Sequence, residues 1–404
     1  MSQSPLPVFV TDGHERSALA VTRGLGEAGI PVIVGAETDT SLAGASRFCA
    51  GKWRYPSPLE DPKNFVSSIN QAIQFHKPLC IVAVTDAATQ ILAAGKDNLG
   101  PVGSTIPSLP SYDAVSDKYR LMQLAQQLDV PIPETVFIPD GNISRVADQI
   151  TLYPVVVKPG RSLLQVNGRW MKTSVHFVST REELIKLYHQ TLYLHSPSLI
   201  QRRVEGSGQG IFGLFDQGRP CALFAHRRIR EKPPAGGVSV LRESIALPKP
   251  MTDYALRLLE HLKWHGVAMV EFKVDGDSGP PKLMEINGRF WGSLQLATDA
   301  GLNFPYLLYQ MINGVYIAVP DHSYRIGTKS RWLLGDLDHL VLRLVKSRSQ
   351  LNLDSTAPSR WRCLVEFCKL FQRDLHFEVE RLNDLGPALV EYRAWLGHVM
   401  ARRG

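Results

Sequence analysis

The sequence predicts a protein of mixed class, with an α/β part at its amino end and an α+β part after it. In the first 110 residues, short apolar strands alternate with helical segments, an order typical of a parallel sheet covered on both faces. In residues 153–287, short strands follow one another through turns and two helical segments interrupt them, which is typical of an α+β domain. At about 100–200 residues per domain, the 404 residues correspond to two or three domains.

The amino-terminal elements alternate between strand and helix. Apolar runs predict the strands, and the spacing of apolar residues between them predicts the helices. In chain order these elements cover residues 8–11, 17–28, 31–35, 65–75, 79–84 and 87–94. Residues 24–29 have the GxGxxG spacing of a dinucleotide site. They fall at the end of a helix rather than between a strand and a helix, so we expect no dinucleotide there.

A hinge and a helix are predicted next. Residues 106–112 are rich in Pro and Ser and are interpreted as a hinge. Residues 115–128 place their apolar side chains on one helical face, and Ser116 or Asp117 can cap that helix.

The α+β part is predicted from short apolar runs bounded by turn residues. Two helices, at residues 181–190 and 253–262, interrupt the strands, and the turn at residues 216–219 predicts a hairpin. Another helix is expected at residues 332–348, and the chain after it is left unassigned. The predicted strands cover residues 154–159, 175–178, 199–201, 210–215, 221–226, 267–274 and 281–287.

Composition excludes several classes of protein. A chain that is 44 % hydrophobic with 32 Gly and 27 Pro is neither collagen-like nor disordered. No apolar run approaches the roughly 20 residues of a membrane span, and the first residues lack the pattern of a signal peptide. The five cysteines are scattered without a CxxC pair, so we expect a cytoplasmic protein without structural disulfides.

The net charge of +7 is unevenly distributed. Residues 341–404 contain 11 Lys and Arg against 7 Asp and Glu, which accounts for +4 of it. A solvated basic face is the simplest interpretation, and a surface for nucleic acid or membrane is the alternative.

Two predicted neighbouring strands contain acidic residues that suit a metal ion. Glu285 and Asn287 lie on the same face of one strand, and a short turn makes the strand with Glu271 its expected antiparallel partner. Carboxylate and amide oxygens suit Mg²⁺ shared with phosphates. The alternative is that both glutamates face solvent and pair with Lys273 and Lys282.

Two basic segments could bind phosphates. Lys158 stands at the end of an apolar strand, before a loop whose Arg161, Ser162, Arg169 and Lys172 could close over phosphates. Most such lysines are simply solvated. Residues 226–232 contain five further basic side chains, which would suit either a nucleic acid or an anionic small molecule.

Taken together, these residues resemble an ATP-grasp ligase. Lys118, Lys158, the LIQRRVEG stretch at residues 199–206, Glu271 and the EINGRFWGS stretch at residues 285–293 occur in the order and spacing of that superfamily. The resemblance covers about residues 8–315. It is similar to predicted ATP-dependent carboligases related to biotin carboxylase and to the carbamoyl-phosphate synthase large chain.

The resemblance implies an N-terminal parallel-sheet pre-ATP-grasp domain followed by two ATP-grasp subdomains and a mostly helical C-terminal tail. The expected boundaries are residues 1–110 for the first domain, 111–204 for the N-terminal subdomain, 205–319 for the C-terminal subdomain with the Mg²⁺ site, and 320–404 for the tail.

The resemblance also implies roles for individual residues. Lys118 and Lys158 would contact the phosphates of ATP, with Ser162 in the phosphate loop, which departs from the glycine-rich pattern and keeps one glycine, Gly168. Arg289 would stabilise an acyl phosphate and the tetrahedral state after it. Arg228 is the candidate for the γ-phosphate or the substrate carboxylate.

The nucleotide and metal ligands are implied in the same way. The hinge beside adenine would be Gln201, Arg202 and Val204, and Gln209 is the candidate for the ribose. Glu271, Glu285 and Asn287 would bind one or two Mg²⁺ ions, with Mn²⁺ as an alternative.

The implied function is an ATP- and Mg²⁺-dependent ligase that couples a small-molecule carboxylate to an amine through an acyl phosphate. Alternatives are an ATP-binding regulatory or partner-binding module without turnover, a ligase for a thiol, and a binder of nucleic acid or membrane surfaces through the basic tail. A homodimer is compatible with the resemblance, and nucleic acid is not an expected partner.

The sequence does not name the substrates, and two segments are left with alternatives. Residues 290–293 are either a wall of the substrate site or aromatic packing beneath it. The tail, with Trp332, Trp361 and Trp395, is either a helical cap or an interface with a partner.

Overall fold

The computed structural model describes residues 4–102, 105–166, 169–274, 279–317, 324–353 and 357–401. The predicted mixed class is confirmed. A parallel sheet at the amino end is followed by two mainly antiparallel sheets, a small hairpin and a partly helical carboxyl-terminal region.

The amino-terminal unit is a parallel sheet with strand order β3-β2-β1-β4 and helices between its strands. The predicted strands and helices here are confirmed. The sequence analysis missed β3, because its residues alternate between half-buried and exposed and form no apolar run. In chain order the elements are β1 (Val8–Val10), α1 (Arg16–Glu27), β2 (Val32–Ala36), β3 (Cys49–Arg54), α2 (Pro62–His76), β4 (Cys80–Val82) and α3 (Asp86–Ala94).

The glycines of the GxGxxG segment serve packing. Gly24 and Gly26 lie inside α1, and a Cβ on Gly26 would lie 2.5 Å from the Cβ of Phe48. Gly29 follows the helix with a φ of +78°, which glycine adopts without strain. The segment therefore ends a helix, as expected, instead of opening one.

The predicted hinge is wrong in part, because residues 109–112 belong to a helix, α4 (Leu109–Ser116). Ser108 caps α4 and the helix starts with a proline near its first turn, a position where a missing N–H costs nothing. The helix is interrupted at Asp117, which caps α5 (Lys118–Gln127) by accepting hydrogen bonds from the backbone N–H groups of Tyr119 and Arg120. Lys118 is therefore the first residue of α5.

The second sheet is antiparallel with strand order β5-β10-β6-β9, and α6 packs against it. In the sequence, β7 and β8 lie between β6 and β9, and they pair with each other as an antiparallel hairpin. The elements are β5 (Thr135–Ile138), β6 (Val155–Pro159), β7 (Leu163–Val166), β8 (Arg169–Lys172), β9 (His176–Val178), α6 (Arg181–Gln190) and β10 (Ser198–Arg202).

The third sheet has strand order β15-β14-β11-β12-β13-β16-β17. The predicted hairpin at residues 216–219 is confirmed between β11 and β12, and Gln217 and Gly218 at its turn both have positive φ. The sequence analysis ended β12 six residues too early and missed β13. Its first elements are β11 (Ser207–Asp216), β12 (Arg219–Lys232), β13 (Val238–Ser244), α7 (Lys249–His261), β14 (Gly266–Val274) and β15 (Pro281–Asn287).

The carboxyl-terminal region both extends the third sheet and adds helices. Its first strand pairs with β13 and its second with the first in parallel. The predicted helix at residues 332–348 is confirmed as α10. The elements are α8 (Leu294–Asp299), α9 (Phe304–Ile312), β16 (Lys329–Arg331), α10 (Leu333–Val345), α11 (Arg360–Cys368), β17 (Leu375–Phe377) and α12 (Gly386–Ala401). Among the helices in the described part of the chain, none has the length and apolar character to cross a membrane.

Candidate active site

Residues of β6 and β10 in the second sheet and of β12, β14 and β15 in the third sheet line a cavity of about 540 Å³. Ser162 and Gln209, which the sequence analysis also assigned to the site, are not part of this lining. The predicted site residues that line it are Lys118, Lys158, Gln201, Arg202, Val204, Arg228, Glu271, Glu285, Asn287 and Arg289.

Glu271 and Glu285 are direct partners across the antiparallel pair of β14 and β15. Asn287 lies two residues further along β15, and its amide donates a hydrogen bond of 3.1 Å to Glu285 Oε1. The expected antiparallel pairing is therefore confirmed. The pairing was inferred from the turn at residues 275–280, of which residues 275–278 lie outside the described residues.

Each of these carboxylates is paired with a cation of the cavity. Glu285 Oε2 lies 3.2 Å from Lys118 Nζ, and Glu271 pairs with Arg228. In the alternative interpretation Lys273 would pair with one of the glutamates in solvent. It instead donates a hydrogen bond of 3.3 Å to the carbonyl oxygen of Val204. The interpretation that the glutamates face solvent and pair with lysines of their own strands is therefore wrong.

The two glutamates have opposite pKa shifts. Burial raises the pKa of Glu271, against the attraction of Arg228. Burial also acts on Glu285, but Lys118 and the Asn287 amide outweigh it and lower the pKa of Glu285 to about 2. Glu285 is therefore an anion at any physiological pH.

Lys158 is a cation without a carboxylate partner. Its Nζ contacts Met284 Sδ at 3.8 Å, and among the described residues no acid lies within ion-pair distance of it. Burial lowers the pKa of Lys158 to about 8, with Glu285 opposing and Lys118 adding to the shift. An ammonium in such surroundings gains from an anionic ligand.

Lys118 and the loop after β6 are also connected. Lys118 Nζ donates a hydrogen bond of 3.1 Å to Ser162 Oγ, so Ser162 reaches the phosphate candidates although it does not line the cavity. Arg161, expected to close over phosphates, is instead held by Asp113 at 2.6 Å and Asp117 at 3.3 Å. Gly168 lies outside the described residues.

The hinge predicted beside adenine, at residues 201–204, lines the cavity together with the apolar side chains of Val156 and Phe177. Gln201 is buried and its Nε2 donates a hydrogen bond of 3.0 Å to Thr135 Oγ1. In the described part of the chain its Oε1 has no hydrogen-bond partner. A buried acceptor of this kind is costly unless a ligand supplies a donor. Gln209 bonds to Ser207 at 3.4 Å and does not reach the cavity, which disfavours it as a ribose ligand.

Arg289 is clamped by a residue that the sequence analysis did not select. Both oxygens of Asp86, at the start of α3, accept hydrogen bonds from it, at 2.8 and 3.0 Å. Tyr112 donates a further hydrogen bond of 2.8 Å to Asp86. Despite burial, Arg289 and Tyr112 lower the pKa of Asp86 to about 2. An acid at the start of the helix that follows a parallel strand was the available signal.

Arg228 bridges two acids, and Glu231 is the one that the sequence analysis missed. Arg228 donates hydrogen bonds to Glu231 Oε1 at 2.9 Å and to the carbonyl oxygen of Gly237 at 3.1 Å, besides its ion pair with Glu271. These anions raise the pKa of Arg228 against the effect of burial. Glu231 and Gly237 also line the cavity.

Close packing fixes the chain between Asn287 and Arg289. A Cβ on Gly288 would lie 2.6 Å from Cη2 of the buried Trp264, so this position requires glycine. Phe290 is buried in the core, whereas Trp291 is buried and also lines the cavity. Core packing therefore holds for both aromatic residues, and the interpretation of this segment as a wall of the substrate site stays a prediction for Trp291.

The donor set fits Mg²⁺ shared with a nucleotide. The described residues contain no group of three or more His, Cys, Asp and Glu side chains that could hold a metal ion alone. Two partly buried carboxylates and an amide oxygen on adjacent strands nevertheless offer hard oxygen ligands, which suits an ion that takes its remaining ligands from phosphates and water.

The basic run at residues 226–232 is not a free surface for nucleic acid. His226 is buried. The basic residues after it each pair with carboxylates of the same chain; they are Arg227, Arg228, Arg230 and Lys232. In order, the partners are Glu243, then Glu271 with Glu231, then Asp336, then Asp338.

Comparison with known proteins agrees with this fold. A family model described as "ATP-grasp in the biosynthetic pathway with Ter operon" matches residues 218–330. The structure of an L-amino acid ligase from Bacillus licheniformis superimposes with a TM-score of 0.60 at 16% identity, covering 81% of this chain and 79% of that one.

Two biotin carboxylases are similar to the same extent. That of Campylobacter jejuni, in a β,γ-ATP complex, has a TM-score of 0.60 at 15% identity and covers 81% of this chain and 75% of its own. The biotin carboxylase domain of the Hydrogenobacter thermophilus 2-oxoglutarate carboxylase, with MgADP and bicarbonate, has a TM-score of 0.61 at 13% identity, covering 80% and 73%. The chain therefore has the ATP-grasp fold, which it shares with these biotin carboxylases, and its residues 218–330 match an ATP-grasp family model.

Proposed function

We propose that the protein is an ATP- and Mg²⁺-dependent ligase, which activates a carboxylate as an acyl phosphate and couples it to an amine. The products are the amide, ADP and phosphate. The superfamily and the ligase among the structural relatives support ATP-dependent ligation in general.

One observation carries the proposal. Lys158 is a partly buried ammonium without an acidic partner, and it lies beside the pair formed by Lys118 and Glu285. A cation so placed is unfavourable in the free protein and becomes favourable when polyphosphate binds. The arrangement thus favours a nucleotide over a neutral ligand.

The nucleotide would lie with its base at the hinge and its phosphates at the lysines. The backbone of Val204 and the unpartnered Gln201 Oε1 offer hydrogen bonds to adenine. Lys118 and Lys158 would hold the phosphates, with Ser162 bonded to Lys118. Mg²⁺ would be held by Glu271, Glu285 and Asn287, where it would neutralise phosphate charge.

In the first step a substrate carboxylate oxygen attacks the γ-phosphorus. The bond to the β-phosphate oxygen breaks, and ADP leaves. Arg228 and Arg289 would orient the carboxylate and offset the charge of the transferred group. Their partners Glu231 and Asp86 hold both guanidinium groups in place before the substrate arrives.

In the second step the amine nitrogen attacks the acyl carbon, loses a proton, and inorganic phosphate leaves. Negative charge develops on the carbonyl oxygen in the tetrahedral state. The fixed guanidinium of Arg289 is the candidate to stabilise it. A module that only binds ATP would not need Arg289, and its clamp by Asp86 favours turnover.

The test is Mg·ATP binding by calorimetry, followed by ADP release with pooled amino acids and small carboxylic acids. We expect binding in the micromolar range and ADP release that depends on both a carboxylate and a nucleophile; amines and thiols are tested separately. Purified protein that binds no Mg·ATP would contradict the proposal. Binding without ADP release from any pool would favour the module without turnover.

A further inference from the structure

The hairpin of β12 and β13 supplies much of one cavity wall. Its tip at residues 233–237 joins the two strands, and Glu231, Pro233, Gly236 and Gly237 line the cavity. Arg228 of β12 forms an ion pair with Glu271 on β14. The position of this hairpin therefore decides the position of Arg228, the proposed ligand of the substrate carboxylate.

A bulge interrupts the pairing of β12 with β13. The register shifts between Arg228 and Arg230 and again between Arg230 and Glu231, which leaves Ile229 without a partner on β13. In a regular strand Arg228 and Arg230 would point to the same face. The bulge shifts the alternation of side chains along β12 by one residue. Arg228 and Glu231 therefore line the cavity, while Arg230 and Lys232 reach the opposite side.

Helix α10 of the carboxyl-terminal region receives the side chains on that opposite side. Arg230 makes two hydrogen bonds of 2.6 Å to the two oxygens of Asp336, which is fully buried. Lys232 pairs with Asp338. His339 Nδ1 lies 2.6 Å from the carbonyl oxygen of Glu231, which fixes the backbone between these two basic residues.

Helix α10 and the residue before it also make hydrogen bonds to α12. Trp395 on α12 donates a hydrogen bond of 3.2 Å to Asp338, and Trp332 donates one of 2.8 Å to Glu391 on α12. The hydrogen bonds and ion pairs that Asp336, Asp338 and His339 make with the hairpin go to Arg230, Glu231 and Lys232, three consecutive residues directly after the bulge.

We infer that the carboxyl-terminal region is a working part of the site: α10, through Asp336, Asp338 and His339, positions the β12–β13 hairpin and thereby Glu231 and Arg228. These three residues are positioning residues, since they act through the hairpin. The inference rests on the proposed function for its consequence, which is the affinity for Mg·ATP beside Glu271.

The experiment compares R230A with R227A in the full-length protein. Both substitutions remove an arginine of β12 and its ion pair, but Arg227 pairs with Glu243 rather than with α10. Amide hydrogen exchange is measured over residues 228–240, and the Kd of Mg·ATP and the melting temperature are measured alongside. We expect R230A to exchange about tenfold faster in this segment and to bind Mg·ATP about tenfold more weakly, with R227A close to wild type.

Equal exchange in R230A and R227A would overturn the inference, as would faster exchange with unchanged Mg·ATP affinity. If wild type itself does not bind Mg·ATP, the proposed function fails instead, so the two failures are distinguishable. Should R230A not fold, K232M replaces it. The side chains of Lys232 and Asp338 are 34% and 29% exposed, so the loss of their ion pair destabilises the protein less.

Discussion

Asp86 and Arg289 lie 203 residues apart in the sequence and are joined by two hydrogen bonds of 2.8 and 3.0 Å. The acid begins α3 of the parallel-sheet unit, and the arginine follows β15 of the third sheet. A two-point ion pair fixes the plane of a guanidinium as well as its position. The amino-terminal unit therefore sets the orientation of the proposed catalytic arginine.

The substitution D86N tests this relationship. Asparagine keeps the size of the side chain but removes the charge that orients Arg289. We expect ADP release to fall about 10- to 100-fold with the Kd of Mg·ATP nearly unchanged, since Arg289 is assigned to the acyl group. Both quantities are measured with the substrate pair found by screening.

D61N is the matched control for D86N. Asp61 is also at the start of a helix in the same unit, where it accepts a hydrogen bond from the backbone of Asn64, and asparagine caps a helix equally well. Equal turnover of D86N and wild type would show that the clamp is not needed for catalysis.

Lys158 predicts a pH dependence of nucleotide binding. Because burial lowers its pKa to about 8, the side chain is charged below that pH and loses its proton above it. A bound phosphate raises the pKa again, so binding takes up a proton above pH 8. We expect the Kd of Mg·ATP to be flat below pH 7 and to rise by up to about tenfold per pH unit above pH 8.

The variant K158M isolates this group. It should bind Mg·ATP about tenfold more weakly at pH 7, lose the dependence above pH 8, and be more stable by about 1 kcal/mol, because an unpaired ammonium has been removed. K249M is the control, since Lys249 is 85% exposed and pairs only within α7. A K158M protein with the pH profile of wild type would assign the titration to another group.

Glu285 predicts an effect that depends on the metal. In E285Q one proposed Mg²⁺ ligand is lost and Lys118 is released from its partner. We expect Mg·ATP to bind about 10- to 100-fold more weakly, while ATP in excess EDTA binds no more weakly than to wild type. E366Q, which alters an exposed pair with Lys369, should leave both values unchanged. Weakening of equal size with and without Mg²⁺ would contradict a metal role.

The sequence predicted most of the fold and the pairing of the two acidic strands, because both follow from local periodicity. Glu285 and Asn287 are two residues apart on a strand, so alternation places them on one face, and a short turn brings Glu271 opposite. Apolar runs likewise marked β1, β2 and β4. The polar edge strand β3 lacks such a run and was missed.

The parts that were not predicted depend on distant contacts. No local pattern links Asp86 to Arg289, or Asp336 to Arg230 at a separation of 106 residues. The bulge at Ile229 also reverses the facing of the residues after it, which alternation cannot anticipate. The basic run therefore suggested an open surface, whereas its side chains are paired within the chain.

Gly288 gives the last prediction, in which stability and the site are affected together. The ideal Cβ of an alanine at this position would lie 2.6 Å from Trp264 Cη2 and 3.0 Å from Val115 Cγ2, and Trp264 is buried and cannot move without disturbing the core. We expect G288A to lower the free energy of unfolding by about 1–3 kcal/mol and to displace Asn287 and Arg289. Urea unfolding measures the first effect and Mg·ATP affinity the second. G397A is the control, because a Cβ there meets no atom within 4 Å and alanine favours the helix α12. A G288A protein as stable as G397A would mean that the packing beneath the site yields to a methyl group and that this glycine is not required by Trp264.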